Sequence, residues 1–275
     1  MAAARNLLKA WLVTAVVVGL LGMLGYALGG LRLASVFGFA GLLLCLTTYW
    51  MADRALMGML GAREVPEGEA PDLHAMVARL ASRAQVVKPR LFVIERGPPL
   101  GLAAGRGVWA STVAFTTGLL ALPPAEVEGV LGHELAHVRN RDIVLQTPVV
   151  LFSSALLDLS RIGGFLERPL LYVLGPLAAA CEHVLLSPKR EFAADRLAAD
   201  VCESPHGLAD ALIRLEQSVE LVEFQASPAT EPLYTINPFA EEGLAALFVT
   251  HPPVAERVRR LRALDPTWRE KLRAA

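Results

Sequence analysis

Leu131-Gly132-His133-Glu134-Leu135-Ala136-His137 carries two histidines four residues apart, with a glutamate directly after the first. On a helix this spacing puts both imidazoles on one face, one turn apart. Neutral imidazole nitrogens suit Zn2+, which takes about four ligands and keeps one position open for water when catalytic. From Glu134 a carboxylate reaches such a water and accepts its proton. The surroundings support a helix. Pro123 and Pro124 open it, and it is expected from Ala125 to about Arg139, with Leu131, Leu135 and Val138 as packing positions.

One zinc ion needs a third protein ligand. Ser187-Pro188-Lys189-Arg190-Glu191-Phe192-Ala193-Ala194-Asp195 offers Glu191 on a further helix that runs to Asp200. Asp195 sits one turn further along the same face, where a carboxylate can hydrogen-bond a ligand imidazole and fix its tautomer. The competing reading is a solvated helix face paired with Arg190 or Arg196. Cys181, Glu182 and His183 are rival third ligands, but they lie in an apolar stretch.

The chain has 275 residues, 54% of them hydrophobic, and a mean hydropathy of +0.44. That is too apolar for an ordinary soluble protein. Trp11–Leu28 and Leu33–Met51 are uncharged runs, each close to the ~20 residues that span a bilayer. Gly29, Gly30, Leu31 and Arg32 connect them, so residues 1–52 are read as a transmembrane hairpin. A cleaved signal peptide is the rival for the first run, but its apolar core exceeds the usual ~7–15 residues and a second run follows at once. Arg5 and Lys9 before the hairpin, and Arg54 and Arg63 after it, place both ends in the cytoplasm by the positive-inside rule.

Residues 143–186 form a second apolar region with two lobes, Thr147–Leu159 and Pro169–Leu186, separated by Arg161, Glu167 and Arg168. It is read as two tilted spans, a re-entrant pair or interfacial helices. A buried hairpin of a soluble domain is the alternative. Elsewhere the pattern is globular. A helix is expected over Glu69–Arg83, strands over Pro89–Glu95 and Val108–Thr117, and a loop or irregular edge strand over Arg96–Gly107. Helices are also expected over residues 207–223 and Val254–Leu264, with an extended loop over Ala226–Phe239. His74 is expected at the surface and His206 in a loop.

Net charge is −1, which offers no basic excess for nucleic acid. There is no G-x-x-x-x-G-K-[ST] loop for a nucleotide. The scattered Cys45, Cys181 and Cys202 exclude a disulfide scaffold and a Cys-rich zinc site.

Three strings in order complete the pattern: His133-Glu134-Leu135-Ala136-His137-Val138-Arg139-Asn140-Arg141-Asp142, Arg190-Glu191-Phe192-Ala193-Ala194-Asp195, and Thr250-His251-Pro252-Pro253-Val254-Ala255-Glu256-Arg257. With them the chain resembles the HtpX family of membrane zinc peptidases, relatives of the CAAX prenyl proteases, from the hairpin to about residue 264. The resemblance implies that His133, His137 and Glu191 hold one zinc ion, that Glu134 is the general base, and that Asp195 supports a ligand. It implies that His251 and Arg257 stabilise the transition state; a His and an Arg are plausible donors to an oxyanion. Packing or capping at the start of the last helix is the alternative for His251. Relatives carry an Asn-Ala-Phe-like edge strand thought to align substrate by β-addition. Here the matching stretch is Leu100-Gly101-Leu102-Ala103-Ala104-Gly105, without the Asn and the aromatic.

The expected fold is mainly α with a small β-sheet, integral to the membrane. The hairpin (1–52) is followed by a gluzincin-like zincin domain in two parts, 53–142 and 187–275, interrupted by the apolar pair 143–186. The expected function is a zinc metalloendopeptidase in the bacterial inner membrane with a cytoplasmic active site. Its partners are the bilayer and protein substrates, and the resemblance implies misfolded or damaged membrane proteins as those substrates. A narrow-specificity processing peptidase and an inactive zinc scaffold or chaperone are the alternatives.

Overall fold

The computed structural model describes residues 2–95, 97–162, 166–219, 221, 226–239 and 243–265. Its first element, α1 (Ala2–Met59), is helical at both ends but broken at Gly29 and Gly30. Gly30 has φ 70° and ψ −157°, a region open to glycine and closed to other residues. Beyond the break the chain folds back on itself. A Cβ at Gly41 would lie 2.8 Å from the Leu21 side chain, so the small residue lets the two halves approach. The expected hairpin turn therefore falls where the glycines are. Trp11, Leu20, Met23, Leu31 and Phe39 are exposed along it, which is the apolar surface a bilayer would cover.

After α1 come β1 (Arg63–Glu64), α2 (Pro71–Ala84), β2 (Arg90–Ile94), β3 (Gly101–Gly107) and β4 (Ala110–Thr116). The sheet order is β1-β2-β4-β3. β2 and β4 are parallel; the other two pairings are antiparallel. The expected strands match β2 and β4, and the irregular stretch ends in β3, with Arg96 outside the described residues. His74 on α2 corrects one expectation. It is buried, and its Nε2 lies 2.9 Å from the Val65 carbonyl, because α2 turns this face onto the segment that enters the sheet.

A short helix α3 (Thr117–Leu120) leads to α4 (Pro124–Asn140), the helix of the two histidines. It packs against β3, α2, and two later helices, α7 (Lys189–Val201) and α8 (His206–Val219). The core lies between these layers, with Leu80, Leu91, Phe115, Leu131, Leu135 and Leu212 all buried. Residues 220 and 222–223 of the helix expected over 207–223 lie outside the described residues.

Between α4 and α7 stand α5 (Ile143–Ile162) and α6 (Glu167–Leu185), the two apolar lobes. They pack on each other, and Ser153 Oγ donates to the Ala178 carbonyl at 3.3 Å. Among the described residues, α1 and α5 are long and apolar enough to cross a membrane, and α6 with α7 qualifies as a pair bent by 51°. A last helix, α9 (Val254–Ala263), packs on α7 and α8.

Candidate active site

Three glycines bring the elements of the site together. At Gly129 an added Cβ would meet the Leu208 backbone nitrogen at 2.4 Å, and at Gly132 it would meet Cys202 Sγ at 2.5 Å. These contacts seat α4 tightly on α7 and α8. On its other side, Gly101 of β3 would meet Val130 at 2.8 Å and Glu134 at 3.3 Å. The bare backbone of β3 thus runs directly beside the acid of the motif.

His133, Glu134 and His137 are buried on α4, and Glu191 and Asp195 are buried on α7. A solvated face for the α7 pair is therefore excluded. His133 Nε2 is 3.1 Å from His137 Nε2 and 3.3 Å from Glu191 Oε2; His137 Nε2 is 3.5 Å from the same oxygen. Of the described residues, these three form the group whose ligand atoms converge. Cys181, Glu182 and His183 are outside it. His183 Nε2 instead faces the Leu247 carbonyl at 2.9 Å.

The other two predicted residues come from the end of the chain. His251 Nε2 lies 3.7 Å from Glu191 Oε2, and Arg257 Nη2 lies 3.8 Å from it. His251 does not cap α9, whose cap residue is Pro253 and makes no side-chain cap. Its Nδ1 turns to Glu231 Oε1 at 2.7 Å. Arg257 is fully buried; its Nε and Nη2 donate to Asp195 and its Nη1 to the Thr235 carbonyl at 2.6 Å.

Each imidazole of α4 has a carboxylate behind it. His133 Nδ1 is 3.0 Å from Asp195 Oδ1, and His137 Nδ1 is 2.9 Å from Asp142 Oδ2. Asp142 reaches back because Arg141 ends α4 in the left-handed region at φ 59°. Asn6 of α1 then donates to Asp142 Oδ1 at 2.7 Å, tying the first helix to the site. In both rings Nδ1 faces a carboxylate and Nε2 faces the shared centre, the orientation that ligand histidines need.

Sequence reasoning missed three of these groups, Asp142, Glu231 and Thr235; it named Arg190 only as an ion-pair partner for the α7 acids and Gly101 only within the altered edge strand. Asp142 lay in a quoted string, and its position five residues after His137, just past the helix end, was the available signal. Arg190 Nε stands 3.1 Å from Glu191 Oε1, and its Nη2 donates to the Pro232 carbonyl at 2.7 Å. Thr235 donates its hydroxyl to Glu134 Oε1 at 2.7 Å. Glu231 and Thr235 belong to the expected loop, which contains a 3-10 turn, Pro228–Leu233, and bridges β3 at Leu102–Tyr234. No local pattern marked them.

The donor set fits a divalent cation. Ligands about 2.1 Å from a tetrahedral zinc stand about 3.4 Å apart, which matches the three separations above. Both oxygens of Glu191, though buried, lack a hydrogen-bond partner. Burial raises the Glu191 carboxyl, but His137 and His251 outweigh it and hold it well below the ordinary range. Burial also opposes charge on the two rings, yet Asp195 and Glu191 around His133, and Glu191 and Asp142 around His137, drive both upward. The pocket therefore favours positive charge at its centre. Glu134 differs: burial pushes its carboxyl up, against the pull of His133 and His137.

Sequence comparison agrees with this geometry. Residues 67–265 match the family described as Peptidase family M48. A Protease HtpX homolog of Pelotomaculum thermopropionicum is 37% identical, over 94% of this chain and 99% of that protein. One from Thermococcus kodakarensis is 36% identical, over 94% and 95%. Among solved structures, the crystal structure of S. mikatae Ste24p aligns with a TM-score of 0.50 at 19% identity, covering 94% of this chain and 66% of that one, a likeness of fold. The chain belongs to peptidase family M48, a family of metalloproteases.

Proposed function

We propose that this protein is a zinc-dependent endopeptidase of the membrane, with His133, His137 and Glu191 as the metal ligands and Glu134 as general base. The observation that carries the reading is the convergence of those three ligand atoms beside a buried glutamate with one free oxygen. When bound, zinc polarises the scissile carbonyl and acidifies water.

The chain's own groups supply the rest. Thr235 holds Glu134 Oε1, and Oε2 has no hydrogen-bond partner. Oε2 is thus the oxygen that takes a proton from the attacking water and returns it to the leaving amine. Burial raises the Glu134 carboxyl pKa, which makes it a stronger proton acceptor than a solvated glutamate. His251 presents its Nε2 edge toward the position of the developing oxyanion. Arg257 adds positive charge next to the same site while it holds Asp195, and Asp195 holds His133.

The hairpin brings both its ends to one side, and the site is tied to the first of them through Asn6. With the positive charges at those ends, this supports a cytoplasmic active site in a bacterial inner membrane. The proposed division is a hairpin (1–52), a catalytic domain in two parts (53–142 and 187–275), and the apolar pair 143–186. A site at the membrane face suits misfolded or damaged membrane proteins as substrates, a quality-control role. A second reading, a processing peptidase of narrow specificity, is favoured by one feature: Tyr234 already pairs the edge of β3 at Leu102.

Purified protein incubated with unrelated unfolded and membrane-embedded substrates tests this. Broad cleavage supports quality control, a single selective cut supports processing, and no cleavage supports a scaffold.

A further inference from the structure

We infer that Glu231 is a positioning residue for His251, fixing which nitrogen of that imidazole carries hydrogen and which faces the reaction. The inference rests on the peptidase reading above for its kinetic consequence, and on geometry for its structural one.

Glu231 is buried in the turn Pro228–Leu233. Its Oε1 accepts from His251 Nδ1 at 2.7 Å and from the backbone nitrogens of Thr250 at 3.1 Å and His251 at 3.3 Å. Its Oε2 accepts from the Thr250 hydroxyl at 2.6 Å. Four donors thus converge on one carboxylate. Burial alone would raise that carboxyl, but His251 and Thr250 hold it below its usual value, so it is ionised. An ionised carboxylate only accepts hydrogen bonds, so Nδ1 of His251 must donate.

The ring then has one nitrogen left. His251 Nε2 is buried without a hydrogen-bond partner and lies 3.7 Å from Glu191 Oε2. It faces the ligand cluster because the other side of the ring is pinned. The pin is itself rigid: the next carbonyl, Pro232, accepts from Arg190 Nη2 at 2.7 Å and from Gln146 Nε2. One short turn therefore braces His251 through a side chain and Arg190, the neighbour of Glu191, through its backbone. Packing His251 against α9 would require none of these four bonds.

The test uses the full-length protein in detergent, wild type and Glu231→Gln. Glutamine keeps the shape and removes the charge. With zinc loaded, the variant should bind about one metal per chain, keep KM within about threefold, and lose roughly 10–100-fold in kcat. In a His251→Asn background the same change should cost no further kcat, because it acts through that ring. An independent readout needs no metal. In metal-free protein carrying 15N-histidine, a hydrogen-bonded Nδ1 proton of His251, assigned by its loss in His251→Asn, should vanish or move upfield in Glu231→Gln.

Wild-type kcat in Glu231→Gln, a further loss in the His251→Asn background, or an unaltered Nδ1 signal overturns the inference. So does an increase in kcat, the result expected if this turn only plugged the site. If wild type itself does not cleave, the peptidase reading fails and the Nδ1 signal alone decides the role of Glu231. Should Glu231→Gln not fold, Thr250→Val removes one of the bonds that fix Glu231. It should lower kcat severalfold at constant KM, and unchanged kcat refutes the inference.

Discussion

Arg257 grips Asp195 through two parallel hydrogen bonds, Nε to Oδ2 at 2.9 Å and Nη2 to Oδ1 at 2.7 Å. Burial alone would raise the Asp195 carboxyl, but the guanidinium and His133 hold it down at about 2. The acid is therefore always ionised near neutrality and always an acceptor for His133 Nδ1. A fork on the last helix thus sets the tautomer of an imidazole on α4, well over a hundred residues earlier in the chain.

Removing that fork leaves the buried Asp195 carboxylate with His133 alone and no guanidinium to balance its charge. Arg257→Ala should destabilise the fold by about 3–5 kcal/mol. Arg257→Lys should recover only part of this, because an ammonium cannot make the parallel pair. Thermal unfolding in detergent measures both. A lysine variant with the wild-type Tm would show that charge alone suffices.

Thr235 serves the general base in the same manner. Thr235→Val keeps the volume but strands Glu134 Oε1, which the hydroxyl now holds at 2.7 Å. A hydrogen bond to a charged group is worth about 1.5–3 kcal/mol, so kcat should fall by roughly 10–100-fold with KM little changed. Thr235→Ser should stay close to wild type. Steady-state kinetics on one peptide separate the variants, and equal kcat in Val and Ser would remove Thr235 from the account.

Packing behind the motif makes a separate prediction. Gly132→Ala places a Cβ 2.5 Å from Cys202 Sγ, and such overpacking costs about 1–3 kcal/mol. Cys202→Ala in the same chain should restore most of the Tm. Gly129→Ala should find no such rescue, since its clash is with the Leu208 backbone. Independent, additive losses in the Gly132/Cys202 pair would contradict the contact.

Cys202 also carries a pH prediction. Burial, and then Glu128, push its thiol up to about 12. A raised acid is neutral in the fold, so its share of stability is present below the unfolded value near 9 and fades as pH rises from 9 toward 12. At pH 8 its alkylation by iodoacetamide should be roughly 30–100-fold slower than in urea-unfolded protein, the scarcer thiolate being partly offset by higher nucleophilicity. Mass spectrometry of the labelled peptide reads the rate. Equal rates would place Cys202 at the surface.

Short-range chemistry explains what was legible in the sequence. The hairpin break at Gly29–Gly30, the helix of His133 and His137 opened by Pro124, and β2 and β4 all follow from periodicity and turn residues. Glu191 and Asp195 came from one-turn spacing together with a family resemblance. Glu231 and Thr235 were not legible because an irregular segment has no period to betray which side chain points inward. His74 was misjudged for a related reason: its burial depends on Val65, which only the sheet brings near. Asp142 depended on a left-handed turn at Arg141, a conformation that an arginine does not announce.

On the proposed reading, three side chains hold zinc and Glu134 moves the proton. Metal content and proteolysis of casein, measured together on wild type and Glu134→Gln purified in detergent without chelator, test it most directly. About one zinc per chain is expected in both proteins, with cleavage by wild type alone. Wild type without zinc, or a Glu134→Gln variant that cleaves as fast as wild type, would contradict it.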